Sequence, residues 1–269
     1  MLAVGEVGTP KVYSPYLLLV QLEDGEVLLE RGSETPIYPA SLTKIMTALA
    51  AIEALPDLER EITLPESIFS DIWAANASTA GYQPEETVRA IDLLYGVMLP
   101  SGADASLGLA EWIDGGEAAF VERMNRRAAM LGMDNTHFTN VCGLQDEAHQ
   151  TTLKDLSLLL MEALKNQTFC ELFTASRHST PGTNLHPDGI TVHSTLFSKL
   201  PDPEVPGGRI LGGKTGFTNE AGLCLASLAE INGKGYILLT AGAPGDNKSE
   251  PLHILDAQAV YGWLGELGR

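Results

Sequence analysis

Four short apolar runs near the two ends of the chain predict β-strands that are joined in pairs. They lie at residues 16–21, 26–30, 223–229 and 236–240. The dipeptide Asp24-Gly25 separates the first two, and the sequence Asn-Gly-Lys-Gly at 232–235 separates the last two. Turn residues of this kind between β-prone runs are typical of hairpins. Each end of the chain is therefore expected to contribute one antiparallel hairpin.

Apolar residues recur at helical spacing through the middle of the chain and again at its end. Helices are predicted over residues 45–55, 117–131, from 152 onwards and over 252–267. Gly132 is placed to end the second helix, and Thr152 with Asp155 three positions later resembles a capping box that starts the third. The last helix has no Lys or Arg before its final residue, so we expect it to pack on the sheet rather than on an anionic membrane.

The order of these elements favours an α/β (α+β) fold built on one antiparallel sheet. Both chain ends form this sheet, helices flank it, and an α-helical subdomain is inserted between its two halves. The predicted division assigns residues 1–66 plus 191–269 to a discontinuous sheet subdomain and residues 67–190 to the helical subdomain.

The charge balance excludes one class of partner. The 269 residues include 17 Lys and Arg against 35 Asp and Glu, which gives a net charge of −18. A protein this acidic has no basic face to follow a phosphate backbone, so nucleic acid is not an expected partner. Because 44% of the residues are apolar, the chain is expected to fold around a sizeable core.

Neither the cysteines nor the histidines form a pattern that is typical of metal binding. The cysteines are Cys142, Cys170 and Cys224, and the histidines are His137, His149, His178, His186, His193 and His253. No Cys-x-x-Cys pair, His-Glu-x-x-His helix or His-x-His pair occurs among them. We therefore expect no metal and no cofactor, and we interpret the cysteines as buried apolar residues.

Ser41 and Lys44 are the first residues that indicate chemistry. They lie three positions apart at the start of the predicted helix 45–55, so both side chains are expected on one helix face. A serine hydroxyl needs a nearby base to act as a nucleophile, and a lysine can be that base when desolvation or a neighbouring cation removes its charge. Ser-x-x-Lys is common by chance, and a capping serine beside a solvated lysine is the simpler interpretation of this motif alone.

Two further motifs follow in order and favour the catalytic interpretation. Ser101 stands before a glycine on a Pro/Gly turn, 60 residues after Ser41. The sequence Gly-Gly-Lys-Thr-Gly at 212–216 contributes Lys214, whose charge can bind a carboxylate and depress the pKa of a neighbouring lysine. The ordered set of Ser-x-x-Lys, Ser-Gly and Lys-Thr-Gly is much more specific than any one of its members.

With these motifs the sequence resembles the penicillin-binding serine D-Ala-D-Ala carboxypeptidases, the low-molecular-weight penicillin-binding proteins. The similarity runs from about residue 38 to residue 261. Its supporting stretches are PASLTKIMTAL at 39–49, MLPSGADAS at 98–106, MNRRAAMLGMDNTHFTNVCGL at 124–144, HQTTLKDLSLLL at 149–160 and GGKTGFTNEAG at 212–222. The resemblance implies the fold of the serine β-lactamases and transpeptidases, with the active site between the two subdomains.

The resemblance also implies a chemical role for three of these residues. Ser41 is expected to attack the substrate and to carry the acyl group, and Lys44 is expected to be its base. Ser101 is expected to pass a proton towards the leaving amine. The implied reaction removes the terminal D-alanine from peptidoglycan stem peptides, and β-lactam antibiotics are the implied covalent inhibitors.

The third motif is implied to bind the substrate. Lys214 and Thr215 are expected to hold its terminal carboxylate, and Gly216 belongs to the same binding segment. The oxyanion hole is expected to consist of the backbone N–H groups of Ser41 and Phe217, because Phe217 follows the glycine of Lys-Thr-Gly.

One position departs from the pattern of the family. The second motif usually reads Ser-Gly-Asn, and its third residue here is Ala103. Alanine can neither hydrogen-bond the substrate's amide nor help to hold the base lysine, and the loss of one such bond corresponds to about 10- to 100-fold in rate. Asp104 follows directly, although on a helical turn its side chain is expected to point elsewhere.

Two other functions stay open at this stage. Loss of turnover through Ala103 would leave a penicillin-binding cell-wall protein that keeps the first motif but has little or no activity. A β-lactamase shares the three motifs and needs fast deacylation, for which class A enzymes use a glutamate that acts through water. Glu147, Glu162 and Glu171 lie between the second and third motifs, but none stands in a clear counterpart of that glutamate's motif.

The resemblance implies a location outside the cytoplasm, either secreted or at the outer face of the bacterial cytoplasmic membrane. The first residues, MLAVGE, contain no basic segment and no long apolar segment, so they do not form a signal peptide. The longest apolar stretch, at 45–52, is far shorter than the roughly 20 residues that span a bilayer. A leader is therefore expected to be absent from this sequence, and contact with a membrane surface is expected only through a further missing segment.

Overall fold

The computed structural model describes residues 2–3 and 8–268 of the chain. Its strands are β1 (Leu2–Ala3), β2 (Tyr16–Gln21), β3 (Val27–Arg31), β4 (Glu61–Thr63), β5 (Thr87–Arg89), β6 (Arg177–Ser179), β7 (Thr191–His193), β8 (Glu204–Val205), β9 (Gly208–Thr218), β10 (Gly222–Ile231) and β11 (Lys234–Ala243). Its α-helices are α1 (Thr43–Ala54), α2 (Phe69–Ala74), α3 (Ala90–Met98), α4 (Ala103–Asp114), α5 (Glu117–Met130), α6 (Leu153–Ala163), α7 (Gln167–Thr174) and α8 (Leu252–Glu266). A 3-10 turn at Ala40–Leu42 leads directly into α1.

Within the described residues, seven strands form one sheet in the order β1-β3-β2-β11-β10-β9-β8. Neighbouring strands pair antiparallel, except that β1 lies parallel to β3. The two ends of the chain meet where β2 pairs with β11, with Leu19 opposite Leu238. The prediction of an α/β fold with an antiparallel sheet formed by both chain ends is confirmed.

Helices cover both faces of this sheet, which explains why the run YLLLVQ has no polar alternation. Leu17 and Leu19 share a buried cluster with α8, whereas Leu18 and Val20 belong to a second cluster that includes the residues of α1 and α6. Successive side chains of a strand point to opposite faces, so both faces of β2 need apolar residues. The prediction that the last helix packs on the sheet is therefore confirmed.

The ends of two helices follow the expected capping. Thr152 precedes α6, and its hydroxyl accepts a hydrogen bond from the Asp155 N–H at 3.1 Å. Gly132 follows α5 with a φ of +74°, a left-handed conformation that glycine adopts without strain. The proposed subdomain boundaries, 1–66 plus 191–269 and 67–190, stay a prediction.

The hydrophobic pattern does not predict β9. This strand contains the third motif and is rich in glycine. A Cβ added at Gly212 would lie 2.2 Å from the carbonyl oxygen of Phe173, at the end of α7. Glycine is therefore needed here because other parts of the chain approach the backbone closely, and the usual β-prone residues would not fit.

In the part of the chain that the structure describes, no helix combines the length and the apolar character needed to cross a membrane.

Candidate active site

Ser41 and Lys44 lie together at the start of α1. Ser41 belongs to the 3-10 turn, and Lys44 follows in the first turn of the helix. The Nζ atom of Lys44 lies 3.4 Å from Ser41 Oγ and donates to the Cys142 carbonyl at 2.7 Å. Ala40, directly before the serine, has a φ of +47°, and such a conformation costs about 1–3 kcal/mol in a residue other than glycine. The local backbone is thus held in an unusual shape at the serine.

The environment of Lys44 lowers the pKa of its amine. The side chain is buried, and burial lowers the pKa of its amine below the usual 10.5 because the charged form loses solvation. Cys142 and the carboxylate of Asp104 act in the opposite direction. A lysine whose pKa is lowered gives up its proton more readily and can then accept one from the neighbouring hydroxyl.

Ser101 and Lys214 form a second pair. Lys214 Nζ donates to Ser101 Oγ at 2.9 Å and to the Thr215 carbonyl at 2.9 Å. Burial and then the charge of Lys44 hold the pKa of Lys214 well below its usual value. The pKa values of both amines are thus lowered, mainly by burial, and the proximity of the two lysines adds to this effect.

The third motif brings β9 against the serine. A Cβ added at Gly216 would lie 3.0 Å from the backbone nitrogen of Ser41, so glycine lets the strand pass directly beside this group. Thr215 Oγ1 lies 2.7 Å from Thr195 Oγ1. Phe217 is half-buried and continues the strand. The two backbone N–H groups expected to form the oxyanion hole, those of Ser41 and Phe217, therefore belong to segments that contact each other.

A tight turn at residues 140–144 holds the carbonyl that accepts from Lys44. Asn140 Oδ1 accepts from the backbone N–H groups of Cys142, Gly143 and Leu144 at 3.2, 2.7 and 3.0 Å. Gly143 has a φ of +78°, and a Cβ there would collide with the carbonyl of Ala40. Sequence reasoning assigned this turn no role, although an asparagine three residues before a glycine is a signal for such a turn.

Asp104 hydrogen-bonds to the backbone of a neighbouring segment rather than to Ser41. Its carboxylate accepts from the backbone N–H groups of residues 80–82 at 2.8–3.1 Å. The neighbouring Ala103 is buried, and its own N–H donates to the Ser78 carbonyl at 2.8 Å. The segment 78–82 is therefore fixed beside the second motif.

The three motifs meet at one cavity of about 250 Å³. Its lining residues are Ser41, Ser78, Ser101, Thr195, Lys199, Thr215, Gly216, Phe217, Leu223, Asn247 and His253. Lys44 and Lys214 reach this cavity through their contacts with Ser41 and Ser101. The structure thus brings every residue of the predicted site together. Among the described residues, no group of three or more His, Cys, Asp or Glu side chains is placed to hold a metal ion.

Six residues that line this cavity have no role predicted from the sequence: Ser78, Thr195, Lys199, Leu223, Asn247 and His253. They lie outside the three motifs, in loops, in β10 and in the first turn of α8. No spacing rule connects them, because they meet only after the sheet and the helices have packed.

Two buried histidines make the stability of the protein depend on pH. Burial lowers the pKa of His149 and of His253 from 6.5 to about 4. Between pH 6.5 and pH 4 these two histidines therefore bind protons in the unfolded chain but not in the folded protein. The free energy of unfolding is highest above pH 6.5 and falls as the pH drops towards 4. Each ring contributes up to about 3 kcal/mol to this loss.

We expect the urea midpoint to fall between pH 7.5 and pH 5. The variant His149→Gln should show a smaller fall, and His193→Gln, which changes an exposed histidine, should behave as the parent protein. Equal midpoints at the two pH values would contradict this explanation.

Known sequences that are similar to this chain are D-alanyl-D-alanine carboxypeptidases. A profile of the family described as D-alanyl-D-alanine carboxypeptidase matches residues 4–245. A D-alanyl-D-alanine carboxypeptidase of Bacillus subtilis is 32% identical over 243 residues, which cover 89% of this chain and 60% of that protein. One from Escherichia coli is 33% identical over 159 residues, which cover 57% of this chain and 40% of that protein. The chain thus spans less than two thirds of the length of these two relatives.

Solved structures share the fold over nearly the whole chain. A Streptomyces DD-transpeptidase superposes with a TM-score of 0.84 at 28% identity, covering 94% of this chain and 97% of that one. A D-alanyl-D-alanine carboxypeptidase from Mycobacterium tuberculosis superposes with a TM-score of 0.82 at 27% identity, covering 96% and 93%.

Proposed function

Because this chain belongs to the D-alanyl-D-alanine carboxypeptidase family, we propose that it is a serine-type carboxypeptidase that removes the terminal D-alanine from peptidoglycan stem peptides. One observation carries the proposal: two serines line the same cavity, and each has a buried lysine beside it. Lys44 Nζ lies 3.4 Å from Ser41 Oγ, and Lys214 Nζ lies 2.9 Å from Ser101 Oγ. A nucleophile with an adjacent base, and a second hydroxyl beside a cation, are the groups that acyl transfer requires.

The first half of the reaction is acylation. Neutral Lys44 accepts the proton of Ser41 Oγ as this oxygen attacks the carbonyl carbon of the scissile amide. The negative charge that develops on the carbonyl oxygen is stabilised by the backbone N–H groups of Ser41 and Phe217. When the C–N bond breaks, Ser101 relays the proton taken up by Lys44 to the leaving nitrogen, so Lys44 becomes neutral again. D-alanine departs, and the rest of the peptide stays on Ser41 as an ester.

The second half is hydrolysis of that ester. A water molecule gives a proton to the same base and attacks the ester carbonyl, which frees the shortened peptide and returns the proton to Ser41 Oγ. A β-lactam would acylate Ser41 in the same way, and the ester would persist when water hydrolyses it slowly. A stable adduct is thus expected with penicillin and a short-lived one with a peptide.

Intact-protein mass spectrometry after penicillin addition, followed over time, tests the proposal together with an assay of D-alanine release. We expect a lasting adduct and release of D-alanine from a peptide ending in D-Ala-D-Ala. A rapidly lost adduct with penicillin turnover would indicate a β-lactamase instead. A lasting adduct without D-alanine release would indicate a binding protein that has lost turnover, and no adduct at all would contradict all three functions.

The expected partners and location follow from the same proposal. The substrate is a peptidoglycan stem peptide, so the protein would act outside the cytoplasm, and β-lactam antibiotics would be its covalent inhibitors. Any contact with a membrane surface would require a segment beyond the described residues. Fractionation of cells that produce the full-length protein, with penicillin labelling of each fraction, tests this location.

Restoring the family's usual residue at position 103 is expected to increase turnover. An asparagine in place of Ala103 regains one hydrogen bond to the scissile amide, worth about tenfold in rate if it forms in the transition state. The gain should appear in kcat, because a bond of equal strength in the ground state would change KM instead. The carboxylate of Asp104 is already engaged with residues 80–82, so it is not expected to compete for the new amide.

The measurement is kcat for a D-Ala-D-Ala stem peptide with the parent protein and with Ala103→Asn. Ala103→Leu adds a side chain of similar size without an amide and should give no increase. An unchanged or lower kcat for the asparagine variant would show that the chain has repacked around this alanine.

A further inference from the structure

A buried threonine and a buried histidine form a hydrogen bond behind the nucleophile. Thr43 lies two residues after Ser41, at the start of α1, and is fully buried. Its Oγ1 atom lies 2.7 Å from Nε2 of His149, a residue 106 positions away that is 2% exposed. In the part of the chain that the structure describes, neither side chain lines the cavity. Contact with a substrate therefore does not explain this pair.

The contacts of His149 determine where its proton lies. Nδ1 accepts a hydrogen bond from the backbone N–H of Thr139 at 3.0 Å, so this nitrogen carries no proton. Burial lowers the pKa of the ring to about 4, and this outweighs the opposite effect of Asp146. The ring is therefore neutral at neutral pH, and its one proton lies on Nε2. Nε2 thus donates to the buried hydroxyl 2.7 Å away.

The Thr43 hydroxyl continues this series of hydrogen bonds to the backbone before the nucleophile. Because the hydroxyl oxygen accepts from His149, its own proton is free to donate, and the Ala40 carbonyl accepts it at 2.8 Å. The backbone N–H of Thr43 donates to the same carbonyl. We call the hydrogen bonds that run from Thr139 through His149 and Thr43 to Ala40 the His149 network.

The carbonyl at the end of the His149 network belongs to the same peptide unit as the N–H group of Ser41. A trans peptide unit is planar, so its C=O and N–H bonds point in opposite directions and turn together. Ala40 has a φ of +47°, which is unfavourable for a residue other than glycine, so local preference does not hold this unit in place. A hydrogen bond that holds the carbonyl oxygen therefore also holds the direction of the Ser41 N–H.

The two sides of this peptide unit face different parts of the protein. On the carbonyl side, a Cβ added at Gly143 would lie 1.8 Å from the Ala40 oxygen. Beside the nitrogen of Ser41, a Cβ added at Gly216 would lie 3.0 Å away, and Gly216 lines the cavity. Both neighbours are glycines, which supply no side chain, whereas Thr43 supplies a side-chain hydrogen bond to this unit.

We propose that His149 and Thr43 are positioning residues that orient the Ser41 N–H as a donor of the oxyanion hole. The inference rests on the proposed function, because that function requires this N–H group to stabilise the charge that develops on the substrate's carbonyl oxygen. Neither residue touches the substrate or exchanges a proton in the reaction. Without the His149 network the peptide unit turns more freely, and its N–H group is aligned less well with the oxyanion.

The first test is the rate of acylation by penicillin over a range of concentrations. This gives the dissociation constant of the first complex and the acylation rate constant separately. Thr43→Val replaces the hydroxyl by a methyl group of similar size. We expect it to lower the rate constant by about 10- to 100-fold, because removal of an oxyanion donor costs about 10²- to 10³-fold and this donor is only misaligned.

The way in which the loss is divided distinguishes positioning from a general disturbance of the site. The dissociation constant should stay close to that of the parent in Thr43→Val, because the charge on the carbonyl oxygen develops only in the transition state. Thr43→Ser keeps the hydroxyl and should react nearly as fast as the parent. A loss confined to the dissociation constant would overturn the proposal.

Variants of His149 test whether the two residues act in series. Glutamine also carries one acceptor and one donor at its end, so His149→Gln should keep most of the acylation rate. His149→Leu has neither group and should react as slowly as Thr43→Val. The double variant Thr43→Val/His149→Leu should be no slower than the slower single variant. Losses that multiply in the double variant, or parent rates in both single variants, would overturn the proposal.

Thr180→Val is the matched control for the loss of a buried hydroxyl. The hydroxyl of Thr180 accepts from the Ile190 N–H and donates to the Pro181 carbonyl, both at 2.9 Å, and it lies outside the cavity. Thr180→Val should be acylated as fast as the parent, even if its urea midpoint falls as far as that of Thr43→Val. Equal slowing in both variants would show that lost stability, rather than the orientation of Ser41, reduces the rate.

A nuclear magnetic resonance measurement separates this inference from the proposed function. In protein with isotope-labelled serine nitrogen, the amide signal of Ser41 is assigned by its absence from Ser41→Ala protein. In the described structure His149 forms no hydrogen bond with Ser41, so its effect on this signal has to pass through Thr43. We expect the signal to move in His149→Leu and to stay near its parent position in His149→Gln, which lacks the ring as well.

The outcomes of this measurement do not depend on turnover. A signal that moves as expected supports the positioning role, even if the parent releases no D-alanine and the proposed hydrolysis fails. A signal that stays in place in His149→Leu overturns the role, even if the parent hydrolyses the peptide. If His149→Leu does not fold, Thr43→Val compared with Thr43→Ser gives the same contrast between a broken and an intact His149 network.

Discussion

Replacing Ser41 with alanine is expected to abolish the covalent penicillin adduct and to leave the fold intact. The oxygen that forms the ester is lost, and Ser101, the serine of the second motif, accepts a hydrogen bond from Lys214 at 2.9 Å. Ser41 makes no capping hydrogen bond in its turn, so its removal should cost no more than the loss of a cap, about 1 kcal/mol. Intact mass after penicillin treatment measures the adduct, and circular dichroism measures the fold.

The matched control is Ser67→Ala, which changes an exposed serine in a 3-10 turn outside the cavity. It should be labelled to the same extent as the parent protein. Labelling of Ser41→Ala at the parent level would remove Ser41 from the mechanism.

Replacing Lys44 with methionine is expected to slow acylation by about 10²- to 10⁴-fold, the usual contribution of a general base. Methionine is similar in length, apolar and flexible, so it suits the buried position. The Cys142 carbonyl loses its donor, which costs about 1–3 kcal/mol of stability. The rate of adduct formation at several penicillin concentrations gives the acylation constant.

Lys165→Met is the control for charge and size, because Lys165 is exposed and pairs with Glu162 at the surface. It should be acylated as fast as the parent. An acylation constant for Lys44→Met within tenfold of the parent would assign the base to another group.

The pH dependence of acylation provides a second readout for the same residue. Only the neutral amine accepts a proton, so the rate should rise with pH and level off below 10.5, because burial lowers the pKa of Lys44. A rate that keeps rising up to the ordinary lysine value would contradict this role. In Lys44→Met this rise should disappear.

The sequence predicts those helices and strands that are determined by residues close together in the chain. The runs that became β2, β10 and β11 are β-prone and bounded by turn residues, and α6 follows its capping threonine. β9 could not be predicted in the same way. Its glycines are required by Phe173 and Ser41, which lie far away in the sequence and approach only in the folded protein.

The candidate site likewise combines contacts between neighbouring residues, which the sequence predicts, with contacts between distant residues, which it does not. The contact between Ser41 and Lys44 follows from a spacing of three residues on a helix. The hydrogen bond between Ser101 and Lys214 joins positions 113 apart, and only the resemblance to a family connected them in advance. Lys199 and His253 belong to no motif, so nothing in the linear order places them at the same cavity.

The pairing of β2 with β11 determines when, during synthesis, the protein can become active. β2 is made more than 200 residues before β11. Until then one edge of the apolar strand YLLLVQ has no partner, and an unpaired edge of this kind readily joins other chains. A growing or interrupted chain therefore has no finished cavity and is prone to aggregate. Reaction with penicillin should begin only when β11 has been made and has paired with β2.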